Sequence, residues 1–282
     1  MSSVSGFSGK GSGARHRHLA YLVGGLALLA ALAGCAQGPS AATGSGSGTE
    51  PLTESDEPEA RTRARLRVEL ATGYFEQDKP TIALDEIKQA LAADPNYAPA
   101  YVLRGLVYMR LNDSRLADES FRRALQLSPR DPDALHNYGW FQCLQGRRPQ
   151  AIELFQQALA SPVYGGQAKT LMAKGICQVQ MGQLAEAEGS FARSYELDAA
   201  NPVTAYNLAN LLYRRGDYVR AQFYARRLNN SEQANAESLW LGVLIERRLG
   251  QAQAAEQLGQ QLVRRFPQSR EATSFQRGMF ND

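Results

Sequence analysis

Residues 97–130 read YAPAYVLRGLVYMRLNDSRLADESFRRALQLSPR. Within this stretch Tyr101, Gly105 and Tyr108, and then Ala117, Phe121 and Ala124, follow one another at spacings of four and three residues. Such spacing puts each trio on one stripe of an α-helix. Gly105 lies inside the first helical stretch, where glycine costs about 1 kcal/mol relative to alanine, so close contact with another helix is the expected compensation. Pro129 closes the second stretch.

Working outward from this stretch, the pattern returns with a period of 34. Ala83, Ala117 and Ala151 are 34 residues apart, as are Ile87, Phe121 and Phe155, and Ala90, Ala124 and Ala158. A shift of two residues at Pro162–Gly166 restarts the register, after which Ala187, Ala221 and Ala255 again step by 34. These residues resemble the tetratricopeptide (TPR) signature, a pair of antiparallel helices with small residues at their crossing and a closing proline. The first unit carries Leu70, Ala71, Tyr74, Ala83, Ala90 and Pro95. The third carries Leu135, Tyr138, Gly139, Ala151, Phe155 and Ala158; the fourth, Leu171, Gly175, Ala187 and Phe191; the fifth, Leu208, Ala209, Leu212 and Ala221. The sixth is degenerate, keeping Ala255 and Pro267. Arg104 and Lys174 stand where leucine is usual, and Gly259 occupies a large-residue place. Gly146, Gly182, Gly216 and Gly250 each follow a first helix and read as C-terminal caps with positive φ. No unit of this size buries its apolar face alone, so at least three must stack. The expectation is an all-α fold: a TPR superhelical solenoid of about six helix-turn-helix repeats over residues 61–282, with Ser269–Phe280 as a capping helix.

The amino terminus has a different character. Lys10, Arg15, His16, Arg17 and His18 precede an apolar run from Leu19 to Ala33, which is shorter than the about 20 residues of a membrane-spanning helix and reads as an export signal. Eighteen residues ahead of that run are long for a signal, which leaves room for a start downstream of Met1. Leu32-Ala33-Gly34-Cys35 resembles the bacterial lipoprotein lipobox, so residues 1–34 are expected to be a signal peptide and Cys35 the lipidated residue. Acyl chains add about 0.8 kcal/mol per buried methylene, which would hold the protein to its membrane. Ala36 rather than Asp follows the cysteine, and by resemblance to sorted lipoproteins this implies the periplasmic face of the outer membrane. Residues 35–60 are rich in Gly, Ser, Thr, Pro and acid and read as a tether with a reach of roughly 25 to 30 Å.

Composition excludes several classes of function. The formal charge of +3 comes from three basic residues in the first 34; without them 28 basic residues face 28 acidic ones. A neutral chain lacks the excess of clustered Lys and Arg that nucleic acid requires. Outside the signal there is one histidine, His136, and beyond Cys35 two cysteines, Cys143 and Cys177, too few for a Cys and His metal cage. His136 and Cys143 are seven residues apart, two helical turns or roughly 10 Å, too far for a nucleophilic pair. Val163–Thr170 has Lys169-Thr170 but Ala168 where a phosphate loop needs glycine. The expectation is a binding protein with no catalytic residue, cofactor, metal, nucleic acid or small-molecule substrate.

In TPR solenoids the first helices line a concave groove, and the resemblance implies groove positions at i, i+4 and i+7. Here they are Val102, Leu106 and Met109; His136, Trp140 and Cys143; Met172, Ile176 and Val179; Tyr206, Asn210 and Tyr213; Trp240, Leu244 and Arg247. A contiguous apolar surface of this kind calls for a partner. Packing of some of these residues between units, Trp140 and Met172 especially, is the alternative. Cys143 and Cys177 fall on the first helices of adjacent units. An oxidising compartment permits a disulfide there, and two packed thiols are the other reading.

Beyond the fold, His136-Asn137-Tyr138-Gly139-Trp140-Phe141, Glu196–Pro202 and Arg265-Phe266-Pro267-Gln268-Ser269 resemble the PilF/PilW family of type IV pilus biogenesis lipoproteins, over roughly residues 62–280. The resemblance implies a pilotin that binds the pilus secretin and promotes its outer-membrane localisation and multimerisation. A TPR lipoprotein scaffolding peptidoglycan hydrolases or outer-membrane protein assembly is the competing reading.

Overall fold

The computed structural model describes residues 57–280. Within them the chain forms thirteen α-helices and no strand. Six hairpins pair α1 (Glu59–Glu76) with α2 (Pro80–Ala93), α3 (Ala98–Arg110) with α4 (Ser114–Leu127), α5 (Pro132–Leu144) with α6 (Arg148–Leu159), α7 (Gln167–Gln180) with α8 (Leu184–Leu197), α9 (Pro202–Arg214) with α10 (Tyr218–Asn229), and α11 (Ala236–Arg248) with α12 (Ala252–Arg265). The last helix, α13, spans Arg270–Gln276. It is shorter than the expected Ser269–Phe280 because Ser269 is its N-cap, accepting from the Ala272 N–H, and Gly278 at φ 66° turns the chain away. At the other end the helical domain starts at Glu59, slightly ahead of residue 61, and the Glu57 carboxylate accepts from Arg65.

The turn inside each hairpin is the same local solution. A residue in the left-handed region ends every first helix of units three to six: Gly146, Gly182, Gly216 and Gly250, at φ between 72° and 82°. Units one and two place Asp78 and Asn112 there, at φ 57° and 59°. The turn is closed as in a Schellman motif: the Arg147 N–H donates to the Gln142 carbonyl at 2.9 Å and the Gly146 N–H to that of Cys143 at 3.0 Å.

Where the two helices of a hairpin cross, volume is traded between fixed positions. In units two to four a glycine faces a phenylalanine. A Cβ added to Gly105, Gly139 or Gly175 would lie 2.6, 2.8 or 2.7 Å from the ring of Phe121, Phe155 or Phe191. All three rings are fully buried. The corresponding pairs are Ala71 and Ile87 in unit one, Ala209 and Ala225 in unit five, and Val243 and Gly259 in unit six. The sixth unit therefore reverses the order of large and small, and the departure at Gly259 has a second cause: any Cβ there would run into Phe275 of α13.

Curvature follows from which helices touch. First helices meet the first helices of the next unit all along the row, from α1 with α3 to α9 with α11, and α13 continues the row against α11. No two second helices approach each other among the described residues. The first helices thus form the tighter, inner side of the curve. None of the described helices is long and apolar enough to cross a membrane.

Candidate protein-binding face

The inner row presents the residues expected at the groove, but their surroundings divide it into stretches of different character. Val102, Leu106 and Met109 are half-buried and pack against Ala117, Phe121, Tyr138 and Phe141. Met172, Ile176, Tyr206 and Leu244 are also half-buried, against the large cluster around Phe191, Leu208 and Leu212. Each is partly packed on these clusters and partly open to solvent.

Between α5 and α7 the row is closed. Cys143 and Cys177 form a disulfide, with Cα atoms 6.0 Å apart and both side chains buried. Trp140 packs against this bridge together with Ala151, Phe155 and Ala173. His136 is engaged within the same interface: its Nδ1 lies 2.9 Å from Thr170 Oγ1, its ring centroid 6.0 Å from that of Phe155. Thr170 is fully buried and also meets the Tyr164 hydroxyl at 3.1 Å, so the two-residue insertion at 162–166 supplies the anchor of a polar cluster. Burial, reinforced by the nearby Lys169 charge, pushes the His136 imidazole down to about 4 from its usual 6.5, against a weaker opposing pull from Asp133. Lys169 and Asp133 themselves pair across the interface at 2.8 Å.

Between α9 and α11 the row is open. Tyr206, Asn210, Tyr213, Trp240 and Leu244, five of the expected groove residues, converge on a cavity of about 610 Å³. Leu241 and Tyr218 complete its apolar wall, and the rim is charged: Arg214 and Arg248 from helix ends, Glu237 from the first turn of α11, and Glu271 from α13. Burial, and then the carboxylates of Glu237 and Glu271, raise the Tyr206 phenol above its ordinary value. The Asn235 capping box fixes the start of α11, with its side chain accepting from the Ser238 N–H at 2.9 Å. On the far side of α11, Glu246 is buried and holds the helix to α10 through Arg226 and Gln222, both at 2.7 Å. The pocket wall is therefore fixed from behind. The rim residues escaped the groove periodicity because they come from helix ends and from α13 rather than from i, i+4 and i+7 positions.

Comparison with known proteins bears on what this row serves. The Tetratricopeptide repeat model matches residues 68–132, 102–164 and 145–202. The Type IV pilus assembly protein PilF of Pseudomonas aeruginosa is 30% identical over 209 residues, covering 74% of this chain and 83% of that protein. The chain belongs to the PilF family. The crystal structure of PilW, a widely conserved type IV pilus biogenesis factor, superposes with a TM-score of 0.68 at 32% identity, over 75% of this chain and 97% of PilW. The solved structure of Pseudomonas aeruginosa PilF gives 0.72 at 28% identity, over 78% and 100%. This member of the PilF family is a TPR protein of type IV pilus biogenesis. Residues 1–56, with the signal, Cys35 and all of the 35–60 tether but its last four residues, lie outside the described residues.

Proposed function

We propose that the protein is an outer-membrane lipoprotein pilotin: anchored through Cys35 at the periplasmic face, it binds the type IV pilus secretin along its inner row of helices and promotes secretin localisation and multimerisation. The observation that carries this reading is the open stretch between α9 and α11, where aromatic side chains and charges of both signs surround a cavity large enough for several side chains of a partner segment. Family membership supplies the pilus, and the chain pattern at Leu32-Ala33-Gly34-Cys35 supplies the anchor. The mechanism needs no bond chemistry. Confining the binding face to the membrane raises the local concentration of captured secretin protomers, so ring formation is favoured by proximity.

The experiment separates anchor from face. Cys35→Ala is expected to give a folded protein that is mislocalised, with secretin multimers strongly reduced on semi-denaturing gels. Tyr206→Ala is expected to stay at the membrane yet lose secretin co-purification. Normal multimer yield in Cys35→Ala would contradict the anchoring role, and undiminished secretin capture by Tyr206→Ala would contradict the assigned face.

A further inference from the structure

The inner row does not end empty. After α13 the chain turns at Gly278, where the Met279 N–H donates to the Ser274 carbonyl at 2.9 Å, and this turn brings Phe280 back onto α11. There the Phe280 ring stacks on Trp240, with centroids 5.6 Å apart and planes at 16°, while the Arg247 guanidinium carbon lies 3.7 Å from the Phe280 centroid. Trp240 and Arg247 are the first and third groove positions of unit six, with Leu244 between them, and Trp240 is also a wall of the open cavity. A ring of the protein's own tail thus occupies the inner face beside that cavity.

The contact borders the packing that holds the end of the solenoid together. α11, α12 and α13 are joined by a buried cluster of Leu239, Leu262 and Ala272, with Trp240, Phe266 and Phe275 packed on it. Phe280 is outside that cluster and remains half-exposed. What holds it is face-to-face stacking on Trp240, an edge contact with Phe275 at 6.1 Å between centroids and a cation over the ring, interactions available to any flat aromatic side chain brought to the same place.

We propose that Trp240, Leu244 and Arg247 form a subsite for an aromatic side chain of the bound protein segment, filled in the free protein by Phe280. The proposal rests on the reading of the inner row as the partner-binding face and adds to it the class of side chain recognised and an internal competitor. A partner ring must displace the tail, so the apparent affinity is lowered by the fraction of molecules in which the subsite is closed.

The test uses the full chain carrying Cys35→Ala, with indole nitrogens labelled, and N-acetyl-phenylalanine amide as probe. Two indole signals arise from Trp140 and Trp240. In Phe280→Ala the Trp240 signal should shift saturably with the phenylalanine amide and stay unmoved with N-acetyl-leucine amide. With Phe280 present, reaching the same shift should take about tenfold more probe, as expected for one stacked ring with a cation. Phe280→Leu keeps apolar cover while losing the ring, and should titrate like Phe280→Ala; it decides the matter if the alanine variant is unstable. Equal titration with and without the ring, or a Trp240 signal deaf to the phenylalanine amide in both variants, overturns the subsite. Loss of secretin binding with the indole titration intact would instead overturn the secretin assignment and leave the subsite standing.

Discussion

The α5–α7 and α9–α11 stretches of the inner row put equivalent repeat positions to opposite uses. In the first, His136 and Trp140 are drawn into an interface closed by the Cys143–Cys177 disulfide, a Lys169–Asp133 pair and the Thr170–Tyr164 cluster. In the second, Tyr206, Asn210, Trp240 and Leu244 stand at the matching places around an open cavity. The repeat sets where a side chain begins, but its neighbours on the next unit decide whether it becomes part of the packing or part of a surface. A solenoid of nearest-neighbour contacts can be stiff in the middle and receptive at one end, because each interface contributes its own stability.

The comparison breaks most visibly if the closed stretch is unlocked. The bridge closes a span of 34 residues, and its removal by Cys143→Ser with Cys177→Ser should cost about 3–4 kcal/mol in chemical denaturation, by the loss of chain restriction in the unfolded state. Next in size is the helix crossing beside it. Gly139→Val should cost about 3 kcal/mol, since its Cβ alone would meet the Phe155 ring at 2.8 Å, and Phe155→Leu in the same chain should recover part of the loss.

A third test uses acid. The His136 imidazole is harder to protonate in the fold than in the unfolded chain. The unfolded state therefore takes up the proton first as pH falls below about 6.5, and stability declines until about pH 4, where the folded state protonates too. The expected loss is about 3 kcal/mol across that window, absent in His136→Phe and absent above neutral pH. The smallest effect on stability belongs to the open stretch: Tyr206→Ala, which truncates a half-buried ring, should cost about 1 kcal/mol while weakening partner binding about tenfold, as an aromatic contact in a recognition site does.

Much of this architecture is legible in the sequence, because the 34-residue period is a direct consequence of stacking one hairpin on the next. Ala83, Ala117 and Ala151 mark crossings, and Gly146, Gly182, Gly216 and Gly250 mark left-handed caps. Asp78 and Asn112 adopt the same conformation without glycine and so carry no comparable signal. The proposed binding face is legible only in part. Periodicity selects inward positions on first helices, yet it treats His136 and Tyr206 alike, and only the neighbours Thr170 and Tyr164 distinguish them. It is silent about Arg214, Glu237 and Glu271 at the pocket rim, and about Phe280, which reaches α11 through a turn after the last helix. The disulfide lies between these cases: spacing puts the two cysteines on adjacent first helices, and the packing of α5 on α7 brings them within bonding reach.

The most direct test of the inner row as the working face compares it with the outer one. Phe223, on the second helix α10, is 59% exposed and is as prominent an apolar target as any residue of the cavity. Binding of the secretin periplasmic region should be measured by fluorescence anisotropy for Asn210→Arg and Phe223→Arg side by side. Asn210→Arg should weaken binding about tenfold or more, with Phe223→Arg indistinguishable from the unaltered protein. Loss of binding in Phe223→Arg with full binding in Asn210→Arg would place the partner on the opposite side and contradict the account.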